Sequence, residues 1–423
     1  MQSRRILITG ISSHWGGRLA QALERDREIE AIVGVDASDP QHELHRTEFV
    51  RVDAQPALLR RIINAAQIDT VVDTRLVSDP LELTLEEVHQ INIHRTINIL
   101  SACGGDSSPV RKLVFKSSAR AYGSEAGDPA FFVEEMERGG PPRTAVERDV
   151  LQAEEVVAEF GARNPQAKVT VLRMAPALGA EIRSSYLMLL NLPVVPSILG
   201  FDPRCQFIHE DDVVGVLEHA VRHDLPGIYN AAADGVLALS EIVGALGKPM
   251  LPLLPPWGTG FAAQRLRNLG FKIPVELLRE LRFGRGLDNR RLKATGYSYR
   301  YTTREAVLKL RAQQRLRPLL RSGAEPYHYE REVEEFLRWS PSVLSAPNPG
   351  SPGTGDGDGA VPTAPFPSYD DLSAEELVGL IPSLEPAALA QLRRYEAAHG
   401  DRPTVLEALD RTLARKGSGD ATH

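Results

Sequence analysis

Short runs of valine, isoleucine and leucine alternate with longer amphipathic stretches through the first two-thirds of the chain. Continuous apolar runs of this length are typical of strands buried on both faces, and the stretches between them have helical spacing. The alternation predicts an α/β fold in which a parallel sheet has helices on both faces. The pattern predicts strands at residues 5–8, 31–35, 48–52, 70–73, 112–117 and 169–173, and helices at residues 17–24, 56–66, 85–103 and 148–160.

Six such strands joined by helices indicate a Rossmann-type doubly wound sheet, which we assign to residues 1–180. Proline and glycine become frequent further on, which predicts a smaller, loop-rich substrate-binding lobe over residues 181–340, interleaved with the first domain. Substrates usually bind in the cleft between two such parts. The uncharged stretch 184–201 contains Pro193 and Pro196, so we interpret it as a buried hairpin or substrate loop rather than a membrane helix.

The last part of the chain has a different composition. Between residues 346 and 367, eleven of twenty-two positions are proline or glycine, and we predict a disordered linker over residues 341–368. Residues 369–415 then carry two capping-box patterns and a segment that runs from proline to glycine, which predict a module of three short helices. Two interpretations stay open for it, a self-contained small bundle and a module that binds a protein partner.

Composition narrows the class of protein. The chain has 423 residues, of which 42% are apolar, and a net charge of −7, so it can form a substantial core but has no general attraction for nucleic acid or an anionic membrane. Cys103 and Cys205 are the only cysteines, too few for a disulfide framework or a cysteine-rich zinc site. An apolar strand that starts at Arg5, in place of a secretory signal, favours the cytoplasm. The histidine spacing indicates no metal site.

The turn after the first predicted strand has the residues of a phosphate-binding loop. Gly10 permits a tight turn, Gly16 or Gly17 lets the next helix pack close to the strand, and the N–H groups at the start of that helix attract a pyrophosphate. Ser13 stands where a complete dinucleotide-binding pattern has another glycine, and its side chain crowds the approach but can hydrogen-bond to phosphate. The alternative is an ordinary strand-to-helix turn.

Acidic residues follow the second and third predicted strands. The carboxylate of Asp36 can accept hydrogen bonds from both ribose hydroxyls and repels a 2′-phosphate, which favours NAD over NADP. Asp53 is in a position to hold the adenine amino group. The alternative for Asp36 is a residue that ends a strand and starts a turn near Pro40.

Several short motifs occur in a characteristic order: Thr9-Gly10 with Gly16, Asp36, Asp53, and the segments 92–98, 112–123, 207–212, 227–230 and 288–296. On these motifs, residues 1 to about 312 resemble the extended short-chain dehydrogenase/reductase superfamily, and within it the NAD-dependent epimerase/dehydratase family, in particular proteins similar to UDP-glucose 4-epimerase. The resemblance implies a bound NAD, hydride transfer at a sugar carbon, a cofactor site that includes Asn92, and a homodimer through the long helices.

In that family a Tyr-x-x-x-Lys pair carries the chemistry, and this chain lacks it. The resemblance implies that the tyrosine exchanges the substrate proton, while the lysine lowers its pKa and holds the nicotinamide ribose. Val146 and Val150 occupy the two positions, and the sequence has no tyrosine between Tyr122 and Tyr186. Ser118, which the resemblance implies bonds to the substrate oxygen, is present; its alternative role is a helix or turn cap.

Two basic residues near the implied site have open interpretations. Arg75 follows the fourth predicted strand, where it either clamps the pyrophosphate or fills the site and excludes NAD. Lys116 shares a strand face with Ser118 by the two-residue period. It either replaces the missing acid/base, with a pKa lowered by burial, or packs its stem while its amine reaches solvent.

These features predict an NAD-dependent epimerase/dehydratase-like oxidoreductase that acts on a nucleotide-linked sugar, with Ser118 and Lys116 in an atypical or degenerate catalytic site. The alternative is a catalytically inactive NAD-binding or scaffold protein that acts through its helical tail. A third interpretation is a purely structural domain in which Arg75 and Ser13 close the nucleotide site. The predicted partners are a small-molecule substrate, a second copy of the chain and a protein bound by the C-terminal helices, with no nucleic acid and no membrane span.

Overall fold

The chain divides into two compact units, Met1–Glu330 and Arg331–His423. The strands of the first unit are β1 (Arg5–Thr9), β2 (Ala31–Asp36), β3 (Thr47–Arg51), β4 (Thr70–Asp73), β5 (Lys112–Ser118), β6 (Lys168–Met174), β7 (Ala177–Leu178), β8 (Val195–Ile198), β9 (Arg204–Cys205), β10 (Ile208–His209), β11 (Gly227–Ala231), β12 (Leu237–Ala238) and β13 (Met250–Leu254). The computed structural model describes residues 3–81, 83–254, 275–320, 389, 392–393, 397 and 403–417.

A seven-stranded sheet with the order β11-β6-β5-β4-β1-β2-β3 forms the centre of the first unit. All its neighbouring strands are parallel, so their carboxyl ends meet at one edge. The six strands predicted from the sequence are present, each end within one residue. The structure adds β11, whose apolar run is interrupted by Asn230 and is too short to be recognised from the sequence alone.

Helices cover both faces of the sheet, which confirms the doubly wound Rossmann-type prediction. Apolar residues of α1 and α7 pack against one face, and those of α2, α4 and α5 pack against the other. The helices are α1 (His14–Glu24), α2 (Pro56–Ala65), α3 (Leu85–His89), α4 (Thr96–Cys103), α5 (Ala145–Arg163), α6 (Ser185–Asn191), α7 (Glu210–Arg222), α8 (Leu239–Leu246), α9 (Val275–Phe283), α10 (Arg290–Lys293), α11 (Thr303–Leu320) and α12 (Pro403–Gly417).

The helix predicted over residues 85–103 is interrupted by a π-helical turn, Gln90–Arg95, between α3 and α4. Asn92 lies in this turn and is fully buried. Its side-chain Oδ1 accepts a hydrogen bond from the N–H of Val77 at 2.7 Å, and its Nδ2 donates one to the carbonyl oxygen of Val77 at 2.8 Å. Asn92 therefore fixes the loop that follows β4, and π turns within helices often occur at functional sites.

The lobe that follows β6 surrounds a third apolar cluster, to which α6, α8, α9 and α11 contribute. The stretch 184–201 forms helix α6 and then strand β8, instead of the expected hairpin or substrate loop, and Ser184 and Tyr186 from it line a cavity. The Oγ of Ser184 accepts a hydrogen bond from the N–H of Leu187 at 3.2 Å and so caps the start of α6, while Leu187 and Leu190 are buried in the cluster. Capping and burial together favour the helix.

The second unit contains α12, which starts one residue before Thr404, the N-cap that the last capping-box pattern predicts. Leu389, Leu392, Val405 and Leu409 are buried, and Arg393 pairs with Asp410. The predicted linker, and the start of the predicted tail module, lie outside the described residues. Among the helices that the structure describes, none is long and apolar enough to cross a membrane.

Candidate cofactor and substrate site

The turn between β1 and α1 brings two glycines into contact. Gly10 has a φ of +81°, which favours glycine, and a Cβ atom on Gly16 would lie 2.1 Å from the carbonyl oxygen of Gly10. Ser13 is the N-cap of α1: its Oγ accepts a hydrogen bond from the N–H of Gly16 at 3.1 Å and donates one to the carbonyl of Gly10 at 2.6 Å. The start of α1 therefore lies at the carboxyl edge of the sheet, where its N–H groups and dipole can bind an anion.

Asp36 and Asp53 lie beside the same turn. The Oδ2 of Asp36 accepts hydrogen bonds from the N–H of Ser12 at 3.1 Å and from the Ser12 hydroxyl. Asp53 is exposed and pairs with Arg95 at 3.2 Å. Asp36, Asp53, Arg75 and Arg95 line a small cavity of about 10 Å³, space for about one water molecule. The structure thus places the predicted ribose and adenine residues, Asp36 and Asp53, in the wall of one small cavity.

Arg75 lies against Gly10. A Cβ atom on Gly10 would come within 2.3 Å of the Cγ of Arg75. The guanidinium donates hydrogen bonds from Nε and Nη2 to the two carboxylate oxygens of Asp73, each at 3.1 Å. This pairing holds the Arg75 stem against the glycine turn while Asp73 neutralises its charge.

A cavity of about 330 Å³ lies at the carboxyl ends of β5 and β6, and residues of the lobe that follows β6 also line it. Four cationic side chains and two carboxylates line it, and two of the cations, Arg120 and Arg285, also pair with the buried carboxylate of Glu280 at 3.6 Å and 3.4 Å. The cations still exceed the carboxylates by one, which favours an anionic ligand. The charged lining residues are Lys116, Arg120, Arg183, Arg285, Asp79 and Glu181.

Lys116 and Ser118 lie on the same face of β5, and both line this cavity. Lys116 is only 6% exposed; its Nζ lies 3.5 Å from the carbonyl oxygen of Leu76 and 6.0 Å from the centre of the Trp15 ring. Burial lowers the pKa of Lys116 to about 8, although nearby Asp73 acts in the opposite direction. The Oγ of Ser118 also accepts a hydrogen bond from the N–H of Arg120 at 3.3 Å, so Ser118 caps a short turn as well as lining the cavity.

Val146 and Val150 on α5 lie in the apolar core. Both side chains are fully buried, in a cluster that includes Leu76 and Phe115, and neither lines the cavity. Helix α5 starts at the N-cap Thr144, whose Oγ1 accepts a hydrogen bond from the N–H of Glu147 at 3.2 Å. The helix on which the resemblance places the Tyr-x-x-x-Lys pair is therefore formed, and Val146 and Val150 are apolar side chains on it.

Two lining residues were not recognisable from the sequence. Asp79 accepts a hydrogen bond from the N–H of Ser185 at 2.7 Å and another from the Ser185 hydroxyl, which joins the loop after β4 to the start of α6. Trp15 lines the cavity from α1 and contacts Lys116. A loop aspartate and a tryptophan in a glycine-rich turn have no diagnostic spacing, so only the fold reveals them.

His14, the first residue of α1, lies at the edge of the cavity. Burial lowers its pKa to about 4, and the neighbouring Arg18 and His42 act in the same direction. The imidazole is therefore neutral at pH 7.

The sequence of this chain is similar to a known protein family and to individual bacterial proteins. A family model for the NAD dependent epimerase/dehydratase family matches residues 6–232. Rv0501, an uncharacterised protein of Mycobacterium tuberculosis strain H37Rv, is 32% identical over 311 residues, which cover 71% of this chain and 81% of the relative. An uncharacterised protein of Mycobacterium bovis, Mb0513, has the same identity and coverage.

Solved structures share the fold at low sequence identity. MoeE5 in complex with UDP-glucuronic acid and NAD is 20% identical with a TM-score of 0.54, and the match covers 74% of this chain and 99% of that chain. UDP-glucuronic acid 4-epimerase from Bacillus cereus in complex with NAD is 16% identical with a TM-score of 0.54, covering 74% and 98%. The family match spans more than half of the chain and agrees with the motif order and the sheet topology: the protein belongs to the NAD-dependent epimerase/dehydratase family, as its motifs predict.

Proposed function

We propose that this protein is an NAD-dependent oxidoreductase of a nucleotide-linked sugar, in which Lys116 performs the proton transfer of the missing Tyr-x-x-x-Lys pair. The observation that carries the proposal is the position of Lys116 and Ser118, which line one cavity from one face of β5. Val146 and Val150 are fully buried and do not line that cavity. Because valine cannot exchange a proton, another residue must act as the acid and base.

The glycine turn and the acidic residues beside it have the chemistry needed to hold NAD. Gly10 and Gly16 allow the backbone to approach a pyrophosphate, and the start of α1 presents N–H groups to it. Asp36 would accept the ribose hydroxyls and Asp53 the adenine amino group, and we assign Arg75 to the same site because its stem packs against Gly10. NAD, when bound, supplies a reversible hydride acceptor.

Lys116 can accept and return a proton near neutral pH. With a pKa of about 8, Lys116 is a neutral amine in about one-tenth of the molecules at pH 7. The amine takes the proton of a substrate hydroxyl, and the carbonyl oxygen of Leu76, 3.5 Å away, stabilises the ammonium that forms. Ser118 donates a hydrogen bond to the same substrate oxygen and holds it beside Lys116. Acid/base help of this kind is worth about 10²- to 10⁴-fold in rate.

The charge of the cavity supports a nucleotide-linked substrate. Arg120, Arg183 and Arg285 line the wall, and guanidinium groups suit a diphosphate. The neighbour MoeE5 binds UDP-glucuronic acid and UDP-glucose, which are ligands with this chemistry.

The direct test is to incubate the full chain with NAD and UDP-glucose, UDP-galactose or UDP-glucuronic acid, and to follow the sugar by proton NMR. We expect a change at one sugar carbon with the wild type. Lys116→Met should lower the rate by about 100-fold or more while NAD binding, measured by calorimetry, changes little. Lys168→Met, an exposed lysine on β6, is the matched control and should leave the rate unchanged. Full activity in the Lys116→Met variant would refute the assignment.

A second candidate is a protein that binds NAD without turnover, and the two buried valines of α5 favour it. Its signature is NAD binding together with inertness toward every sugar nucleotide tested. In that case deletion of residues 369–423 should abolish capture of a protein partner while leaving NAD affinity unchanged, which would assign the function to the tail.

A further inference from the structure

Three side chains from separate segments meet at the rim of the cavity. His14 starts α1, His42 lies in the loop between β2 and β3, and Glu181 follows β7. One potential ligand atom from each, a ring nitrogen or a carboxylate oxygen, lies within 4.8 Å of the other two. The three positions are far apart in the sequence, so no spacing pattern indicates the cluster.

A glycine on α1 allows the two histidines to meet. Gly17 lies one helical turn after His14, and a Cβ atom at Gly17 would come within 2.4 Å of the Nδ1 of His42. Without a side chain at this position, His42 packs on the helix surface with its ring centre 5.4 Å from that of His14. Any larger residue at position 17 would displace the His42 ring.

A second glycine allows the chain to fix Glu181. A Cβ atom at Gly179 would lie 2.1 Å from the carboxylate of Glu210. The Glu210 side chain therefore lies close to the backbone only because position 179 is glycine. The Glu210 carboxylate accepts hydrogen bonds from the N–H of Ala180 at 2.9 Å and from the N–H of Glu181 at 3.3 Å. Arg18 then bonds to the Glu181 carboxylate at 2.9 Å, as outer residues commonly do for a ligand carboxylate.

Three carboxylates and the guanidinium of Arg18 lie close to His14. Arg18 pairs with both Glu181 and Asp211, and the Oε2 of Glu210 lies 3.9 Å from the Nε2 of His14. Among the described residues, this buried Nε2 has no hydrogen-bond partner. A buried ring nitrogen without a partner, beside a carboxylate from a different element, is an arrangement that a cation would complete.

We propose that His14, His42 and Glu181 bind a divalent transition-metal ion of the Zn²⁺ type. Two imidazole nitrogens and one carboxylate oxygen are a donor set that zinc prefers, and three protein ligands leave a fourth position open. Because His14 and Glu181 line the cavity, the open position faces a ligand bound there. Tetrahedral ligation requires ligand atoms about 3.4 Å apart. The Glu181 side chain, 37% exposed on a loop, can move in to close the site.

The test uses the full chain, freed of metal with a chelator and then titrated with Co²⁺ and with Zn²⁺. We expect one Co²⁺ per chain, with the visible absorption bands of a tetrahedral site, and displacement of Co²⁺ by Zn²⁺. His42→Ala and, separately, Glu181→Gln should weaken the metal affinity by more than about 100-fold, since even residues outside the ligand sphere are worth about 10- to 100-fold. His45→Ala, an exposed histidine in the same loop, is the matched control and should bind metal like the wild type.

The metal measurement does not depend on the proposed oxidoreductase function. Absence of stoichiometric Co²⁺ binding by the folded wild type, checked by its circular dichroism, would overturn the metal site and leave the NAD proposal untouched. Equal affinity in the wild type and the His42→Ala variant would likewise overturn it. Circular dichroism, measured in parallel on the same variants, shows whether each one is still folded.

Discussion

Arg75 donates one hydrogen bond to each carboxylate oxygen of Asp73, and the two side chains are only 8% and 3% exposed. The same carboxylate accepts a hydrogen bond from the Oγ1 of Thr9 at 2.9 Å. The Asp73 carboxylate, with Thr9 and Arg75 bonded to it, therefore joins the carboxyl ends of β1 and β4 next to Gly10. A buried pair of this kind is stable only while both partners are present, because either charge alone would be desolvated without compensation.

Loss of Arg75 alone should destabilise the fold. Arg75→Ala leaves the Asp73 carboxylate buried without its partner, and we expect the free energy of unfolding to fall by about 3–5 kcal/mol. The double variant Arg75→Ala/Asp73→Asn removes that charge and should recover most of the loss, since an amide oxygen still accepts from Thr9. Urea denaturation followed by circular dichroism measures both. Equal losses in the single and the double variant would contradict the charge argument.

The buried ammonium of Lys116 should lower stability at neutral pH. Its pKa falls from 10.5 to about 8 on folding, so the unfolded chain binds more protons between these two values. The contribution of Lys116 to the free energy of unfolding therefore rises with pH across this interval. Below pH 8 the side chain is charged in both the folded and the unfolded state, so the buried charge destabilises the fold by its full amount.

Lys116→Met isolates this effect. Methionine removes the charge and keeps most of the apolar stem, so the variant should be more stable than the wild type at pH 7 by up to about 3 kcal/mol. The difference should shrink as the pH rises to about 10.5, because other titrating groups are common to both proteins. Urea denaturation of the two proteins at pH 7, 8.5 and 10 gives the comparison. If Lys116→Met is less stable than the wild type at pH 7, the buried ammonium stabilises the fold and the prediction is wrong.

The sequence was sufficient for features that depend on neighbouring residues. Apolar runs predict six strands of the sheet, and the Gly10, Gly16 and Asp36 pattern predicts residues that the structure brings to one edge. It also places Lys116 and Ser118 on one strand face. Other features depend on chain segments that meet only in the fold. The burial of the Lys116 amine requires Trp15 from α1 and Leu76 from the loop after β4, and the sequence cannot show that His14, His42 and Glu181 converge.

Asp36 should determine which dinucleotide the proposed cofactor site prefers. Its carboxylate at the end of β2 would bond to ribose hydroxyls and repel a 2′-phosphate. Asp36→Ala should lower the ratio of NAD affinity to NADP affinity by about 10-fold or more, which corresponds to about 1.4 kcal/mol. Asp39→Ala changes an exposed residue in the loop that follows β2 and should leave the ratio unchanged. Calorimetric titration with both dinucleotides measures it, and an unchanged ratio in the Asp36 variant would count against this role.

Glu154 joins α5 to β5 and β6 through one buried carboxylate. It accepts hydrogen bonds from the Nε and Nη2 of Arg173, at 3.1 Å and 2.6 Å, and another from the Ser117 hydroxyl. The Arg173 guanidinium also lies over the Tyr122 ring, 4.5 Å from its centre. Removal of the carboxylate therefore leaves the buried Arg173 guanidinium without its anionic partner.

We expect Glu154→Ala to reduce the free energy of unfolding by about 3–5 kcal/mol. Glu155→Ala, which changes the next residue on the exposed face of α5, should stay within about 0.5 kcal/mol of the wild type. The double variant Glu154→Leu/Arg173→Met replaces the pair with apolar groups and should regain much of the lost stability, because no unpaired charge remains buried. Chemical denaturation of the four proteins decides between this account and a helix-propensity effect, which predicts similar changes at positions 154 and 155.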